Sequence, residues 1–356
     1  MRHLLDIADL SVSELDELIA VAEDIAANGE RYANIMRGKK LATLFFEPST
    51  RTRLSFEAAM LELGGSVLGF SEASSSSATK GECVRDTVRV VGNYADIIAM
   101  RHPIEGAAFV AATKSPVPIV NAGDGGHCHP TQTLADLLTI HRELGRLNDL
   151  TIGLCGDLLY GRTVHSLIHA MVRYRGTRFV LISPTELRLP DYAENALKEA
   201  GVPYTVTTDL EEAMSELDVL YMTRVQKERF SNEADYERVK DCYVLTPEKL
   251  SLAKKSMRVL HPLPRVNEIA QEVDDDPRAA YFRQTLNGKL MRMALILKLT
   301  GENALQTPHT LPKGESYDGK CPNPKCITHV ERALPMRKTK GADGEARCLY
   351  CETLLK

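Results

Sequence analysis

No apolar run in this 356-residue chain approaches the length needed to cross a bilayer. The N-terminus, Met1-Arg2-His3-Leu4-Leu5-Asp6, meets acid too early for a signal peptide, so the expectation is a cytoplasmic protein with no membrane partner. Positive charge is not in excess either. A formal net charge of −4 argues against a general nucleic-acid binder and leaves room only for a focal cationic pocket. A Gly-rich loop ending in Lys-Ser or Lys-Thr is missing, which removes support for an ATP-binding P-loop. Gly153-Leu154-Cys155-Gly156-Asp157 follows an apolar run but lacks the spaced triple glycine of a dinucleotide fold, so no organic cofactor is expected. A disulfide framework is also absent. Cys83, Cys128, Cys155 and Cys242 are scattered, and the other four of the eight cysteines cluster in the last 36 residues, a pattern of reduced thiols plus one local metal site.

At this length a single core is exceeded, and two domains with an appendage are expected. Ser11 and Glu14 form a capping box ahead of Leu15, Leu18, Ile19, Ala22 and Ile25 at helical spacing. Strand-like runs at 41–46, 66–70, 96–100 and 119–122 alternate with helical ones, the last at 131–144. A second alternating block has strands at 151–155, 179–183, 219–222 and 259–261, with helices at 163–174, 192–200 and 210–217 between them. The fold class is therefore α/β, two parallel-sheet domains with a cleft between them and a small C-terminal four-cysteine domain. Residues 1–145 form the first domain, 146–287 the second, 302–319 a polar linker and 320–356 the cysteine domain, with the last helix, 288–301, packing back on the first.

The run Phe45-Phe46-Glu47-Pro48-Ser49-Thr50-Arg51-Thr52-Arg53 joins a strand to a helix carrying Leu54, Ala58 and Leu61. Unpaired N–H groups at a helix start, hydroxyls and a guanidinium make an anion seat, although Ser and Thr are also ordinary caps. Arg101-His102, His129-Pro130-Thr131-Gln132, Tyr160-Gly161-Arg162, Thr223-Arg224-Val225-Gln226 and His261-Pro262-Leu263-Pro264-Arg265 each follow a strand, which is where α/β sheets place ligands. The repetition of Arg and His at these ends suits small, multiply anionic ligands. Gly123-Asp124-Gly125-Gly126-His127-Cys128-His129 offers metal ligands but no further pair to complete a set, leaving a buried histidine or one aimed at a substrate carbonyl. Ser74-Ser75-Ser76-Ser77 followed by Lys80 reads as a flexible loop or as a mobile lid bringing a hydroxyl and an ammonium to an anion. In the tail, four residues separate Cys321 from Cys326 and two separate Cys348 from Cys351, with twenty-one between the pairs, the spacing of a structural four-thiolate zinc site.

Together these segments resemble the carbamoyltransferases, over roughly residues 1 to 305, and Tyr221 to Arg229 is similar to the aspartate branch. The resemblance implies transfer of a carbamoyl group from carbamoyl phosphate to L-aspartate. It assigns the phosphate to Ser49, Thr50, Arg51 and Thr52, the carbonyl oxygen to Thr52, Arg101 and His129, and the carbamoyl amide to Gln132 and the backbone carbonyls of Pro262 and Leu263. Arg162, Arg224 and Gln226 are implied for the carboxylates of aspartate, and Ser76 and Lys80 for the site of a neighbouring subunit in a homotrimer or dimer of trimers. The tail resembles the zinc domain of the regulatory chain of that enzyme, without room for a nucleotide-binding domain before it.

Two rivals stand beside this reading. An ornithine enzyme shares the phosphate seat but calls for an acidic or thiol partner, where this chain has Arg224, Gln226, Arg265 and Pro262 after His261. A nucleic-acid-binding tail has Arg337, Lys338 and Lys340 in its favour but lacks interleaved aromatics.

Overall fold

The computed structural model describes residues 2–225, 232–301, 305, 310–331, 333–341 and 344–355. Among them the chain forms two units, Met1–Thr131 with Lys289–Lys356, and Gln132–Gly288.

In the first unit Ser11 caps helix α1 (Val12–Ala27) through the reciprocal bonds of a capping box with Glu14, and Leu15, Leu18, Ile19, Ala22 and Ile25 are buried. Strand β1 (Lys40–Phe45) is buried along all but its first residue, as a central parallel strand must be. Helix α2 (Thr50–Glu62), strand β2 (Ser66–Phe70), helix α3 (Val84–Val91), strand β3 (Ile97–His102), helix α4 (Ala107–Ala112) and strand β4 (Ile119–Asp124) follow. The parallel sheet has the order β2-β1-β3-β4. Helix α2 turns a different face inward from the one its leucines suggest. Thr52, Phe56, Ala59 and Met60 are buried, while Leu54 and Leu61 are more than half exposed. The arc set by 52, 56, 59 and 60 lies nearly opposite Leu54, and the aromatic ring of Phe56 fills the core in its place.

Helix α5 (Pro130–Leu144) opens the second unit, which holds β5 (Thr151–Cys155), α6 (Arg162–Met171), β6 (Arg178–Ile182), α7 (Asp191–Glu199), β7 (Tyr204–Thr207), α8 (Leu210–Ala213), β8 (Val219–Met222), α9 (Glu233–Val239), α10 (Pro247–Ser251) and β9 (Arg258–Leu260). Its parallel sheet runs β7-β6-β5-β8-β9. The short helix α8 stops at Ala213, well before the expected Leu217, and β7 is a strand that sequence periodicity does not reveal, its middle residues exposed on a sheet edge. The two compact units divide between Thr131 and Gln132, inside α5, where Asp136 is a buried acceptor for partners of the second unit. Asp136 takes hydrogen bonds from Gln132 Nε2 at 2.8 Å, Gln284 Nε2 at 2.6 Å and Tyr221 Oη at 3.0 Å. Burial, and then this carboxylate, push the Tyr221 phenol well up, so it stays a donor.

Helix α11 (Tyr281–Thr300) is shared by the two units in sequence, its residues from Lys289 onward belonging to the first. The tail forms a small antiparallel sheet of β10 (Glu315–Ser316), β11 (Arg337–Lys340) and β12 (Ala346–Cys348) and belongs to the first unit as well. It lies against the loop between β3 and α4: Glu105 donates to Lys325 O at 3.0 Å and accepts from Ile327 N–H at 2.9 Å. Gly106, at φ +86°, passes so close to Tyr350 that a Cβ there would stand 2.7 Å from its carbonyl oxygen. The rings of Phe109 and Tyr350 meet edge to face at 5.8 Å.

Asp136→Ala leaves two buried donors and a partly buried one without their acceptor and is expected to cost about 2–4 kcal/mol of stability, with Asp136→Asn costing less. Thermal and denaturant unfolding of the purified chain read this, and midpoints unchanged from the parent would remove Asp136 from its structural role.

Candidate active site and metal centre

Each parallel sheet has one place where strand order reverses: between β1 and β3 in the first unit, and between β5 and β8 in the second. Loops leaving the carboxyl ends of such neighbours turn to opposite faces and open a crevice. In the first unit that point gathers the start of α2 and Arg101. Ser49 is the N-cap of α2 but makes no capping bond with its side chain. Its hydroxyl and the N–H groups of Thr50, Arg51 and Thr52 have no acceptor among the described residues, since the first intrahelical bond is Arg53 N–H to Ser49 O at 3.1 Å. Three outward amides at the positive end of a thirteen-residue helix form an anion seat.

Two guanidiniums border it. Burial lowers the pKa of Arg101, partly offset by Glu47, whose Oε2 is 3.0 Å from Arg101 Nη2. Burial and then Arg101 itself lower that of Arg51. Like charges held this close are costly unless an anion joins them, and Glu47 is the one carboxylate paired with either in the described structure. Its signal in sequence is an acid directly after Phe46, at the edge of a cationic run, where its role was not read.

After β4 the chain makes a tight polar loop. Asp124 is buried and accepts from Gly106 N–H at 3.0 Å and Asn121 Nδ2 at 3.0 Å, and its Oδ2 is 3.2 Å from His127 Nδ1. Burial opposes charge on His127, but Cys128 and Asp124 raise its pKa well above the ordinary value, and Glu352 of the tail lies 3.5 Å from its other nitrogen. Cys128 stays a thiol, raised by burial and by Asp124, and donates to Leu5 O at 3.3 Å. Asp124, His127 and Cys128 are thus grouped closely enough for a metal, yet each is already engaged within the loop. His129 follows, buried, its Nδ1 3.5 Å from Thr131 Oγ1. Ser76 and Lys80 sit on a separate exposed segment built of two short 3₁₀ turns, Ala73–Ser75 and Ser77–Lys80.

In the second unit Arg162 begins α6 beside β5, and Arg224 follows β8, so the two flank the switch point. Gln226 lies outside the described residues. Gln132 is held by its amide nitrogen, which donates to Asp136. Pro262 and Leu263 follow β9, with Leu263 at φ +51°, a left-handed conformation costly for a γ-branched residue and of the kind found at ligand sites. Other strand-end residues are committed elsewhere. His102 accepts from Ile104 N–H at 3.1 Å, and burial holds its pKa down to about 4. His261 bridges Leu263 N–H at 2.8 Å and Glu268 at 2.7 Å. Arg265 forms a bidentate pair with Asp274. Their chemistry is structural, and the sequence offers no sign of it because Asp274 and Glu268 sit several residues further on.

In the tail, Cys321, Cys326, Cys348 and Cys351 are all buried, and their sulfurs lie within 4.8 Å of one another. Cys321 and Cys351 are 3.5 Å apart and Cys326 and Cys348 3.7 Å, too far for disulfides. Hydrogen bonds from Cys326 and Cys348 pull the Cys351 thiol down, while burial pushes Cys321 up to about 12. Four crowded thiols competing for protons in this way are a ligand set for one tetrahedral metal ion.

Comparison with known proteins agrees with this division of labour. The family model for the carbamoyl-phosphate-binding domain of aspartate/ornithine carbamoyltransferase matches residues 2–142, and that for the Asp/Orn-binding domain matches 148–299. The metal-binding domain of the aspartate carbamoyltransferase regulatory chain matches residues 319–356. The aspartate carbamoyltransferase catalytic subunit of Lachnoclostridium phytofermentans is 63% identical over 300 residues, 84% of this chain and 98% of the relative. That of Clostridium perfringens is 59% identical over 302 residues, 85% of this chain and 98% of the relative. Among solved structures, the catalytic subunit of M. jannaschii aspartate transcarbamoylase superimposes with a TM-score of 0.80 at 46% identity, covering 85% of this chain and 99% of that one. The Trypanosoma cruzi aspartate transcarbamoylase in complex with N-(phosphonacetyl)-L-aspartic acid gives 0.78 at 40% identity, covering 83% and 94%. With both catalytic-chain domains matched in order and a regulatory-chain metal domain following in the same polypeptide, the chain belongs to the aspartate/ornithine carbamoyltransferase family.

Proposed function

We propose that this chain transfers the carbamoyl group of carbamoyl phosphate to the amine of L-aspartate, giving N-carbamoyl-L-aspartate and phosphate, the carbamoylation step of de novo pyrimidine biosynthesis. The observation that carries the reading is the unpartnered start of α2 beside Arg51 and Arg101 at the β1/β3 switch point. Ser49, Thr50, Arg51 and Thr52 hold the phosphate there. Arg101 spans phosphate and carbonyl oxygen, and exchanges Glu47 for the ligand as it does so. Gln132 and the carbonyls of Pro262 and Leu263 fix the carbamoyl NH₂, so that the carbonyl oxygen meets Thr52, Arg101 and His129. Arg162, Arg224 and Gln226 take the two carboxylates of aspartate, a demand that ornithine does not make. The relatives cited above carry the aspartate name, and none of these groups offers a cationic side chain an acidic partner.

The chemistry needs no nucleophile from the protein. The aspartate nitrogen lone pair attacks the carbamoyl carbon, the carbonyl π electrons move onto oxygen, and the C–O bond to phosphate breaks as the carbonyl re-forms. The proton lost by nitrogen passes to the leaving phosphate. What the protein supplies is alignment of two mutually repelling anions and donors aimed at the growing oxyanion. Ser76 and Lys80 complete the site of a neighbouring subunit in a homotrimer or a dimer of trimers. Their support is exposure: Lys80 is exposed and has no ion pair among the described residues. Among the described residues no helix is long and apolar enough to cross a membrane, and a cytoplasmic location belongs to this reading.

The metal is zinc. Zn–S bonds of about 2.3 Å place tetrahedral sulfurs about 3.8 Å apart, and the observed pairs at 3.5 and 3.7 Å fit that spacing. With four thiolates the coordination is closed, so the ion orders the tail and takes no part in the reaction.

Purified chain with carbamoyl phosphate is expected to release phosphate with L-aspartate and not with L-ornithine; the reverse preference would overturn the assignment. Arg51→Ala and His129→Ala should each lower kcat by about 100- to 1000-fold, with Cys128→Ala mild. Mixing Arg51→Ala and Lys80→Ala chains should recover part of the activity, and no recovery despite subunit exchange would remove the shared site. Metal analysis should find one zinc per chain, lost in Cys351→Ser.

A further inference from the structure

The segment carrying Ser76 and Lys80 makes hydrogen bonds only within itself. Among the described residues, Ser75, Ser76, Thr79, Gly81 and Glu82 donate to Glu72, Ala73, Ser76, Ala78 and Ser77 in turn, and the Ser75, Ser76 and Thr79 hydroxyls do likewise. Apart from Ala73 and Ala78, which pack on the core of the first unit, where this segment stands is set by its two ends, the edge strand β2 on one side and helix α3 on the other. Helix α3 is poorly equipped to hold its own start. Its N-cap residue is Cys83, whose side chain makes no capping bond.

The missing cap comes from the tail. Glu331 is buried, and its Oε1 accepts the Val84 N–H while its Oε2 accepts from Arg85 Nε at 3.0 Å. One carboxylate thus takes an orphan amide at the positive end of the helix and pairs with a guanidinium in its first turn. Glu331 stands two residues after the end of the short 3₁₀ turn Ile327–His329, itself next to Cys326, and its N–H donates to Ile327 O at 2.9 Å, so its position is fixed by the same fold that gathers the four thiols. Buried and engaged at both oxygens, it is a rigid tie and not a solvated surface pair.

We propose that Glu331 is a positioning residue for substrate binding: by capping α3 it fixes where the chain leaves the Ser76–Lys80 segment, and so where those two groups stand. The inference rests on the role given to Lys80 under the proposed function. It makes the tail a part of the scaffold behind the groups that this chain lends to a neighbouring subunit's site.

The test is a double-mutant cycle on the full-length chain, with metal content measured alongside steady-state kinetics. Glu331→Ala is expected to raise KM for carbamoyl phosphate about tenfold, with kcat changed less than about threefold and zinc retained. Glu331→Gln, which keeps an oxygen for the Val84 N–H, should recover part of the loss. In a Lys80→Ala background Glu331→Ala should add little, because the group it positions is gone. Equal effects in both backgrounds, or an unchanged KM, would overturn the proposal while leaving Lys80 in its role. If Lys80→Ala itself changes neither KM nor kcat, the role of Lys80 fails and this inference with it. Should Glu331→Ala shed its zinc, Arg85→Met, on the other side of the pair and outside the tail, is read by the same criteria.

Discussion

A parallel sheet has one edge at which strand ends, loops and helix N-termini converge, and the placement of every proposed substrate group depends on that constraint. Helix starts carry partial positive charge and unpaired amides, so an edge rich in them favours anions before any side chain is added. In the first unit the reversal between β1 and β3 brings the start of α2 to Arg101, and in the second the reversal between β5 and β8 brings Arg162 toward Arg224. The same topology, used twice, serves two different anionic reactants. Specificity then lies in what each loop adds.

The cost of crowding cations is met by carboxylates. Glu47 answers Arg101, Asp124 answers His127 and Asp274 holds Arg265, while Glu268 accepts from the His261 ring. These acids differ in one respect. Asp124 and Glu268 are buried and hydrogen-bonded to backbone amides as well as to a histidine ring, so they act as fixed parts of the loops they organise. Glu47 is partly exposed and among the described residues touches one cation alone, which suits a counter-ion that a ligand displaces.

Much of this was legible in the chain. Strands 151–155 and 219–222 stand where apolar runs place them, since buried parallel strands are the most hydrophobic segments of an α/β protein. What failed to show has physical causes. Helix α3 begins with Val84 and holds three more valines, residues that prefer strands, and its cap lies far away in sequence; β7 is an exposed edge strand with no buried face to mark it. The leucines of α2 misled because hydrophobicity was read without the tertiary partner that selects Phe56. Of the site, the motif residues were visible as types at strand ends, but not the commitment of His102, His261 and Arg265 to inner partners, which depends on distances that no spacing encodes.

The contact between Glu331 and Val84 joins residues 247 positions apart. On a ribosome adding roughly 5 to 20 residues per second, about 12 to 50 s separate the emergence of helix α3 from that of its cap. The sheet of the first unit has its strands long before then, so it must persist through synthesis with α3 open at one end. Closing that end is a late event by necessity, because the long loop must be drawn shut before the contact gives anything back. Maturation of the first unit is accordingly timed by the emergence of its tail.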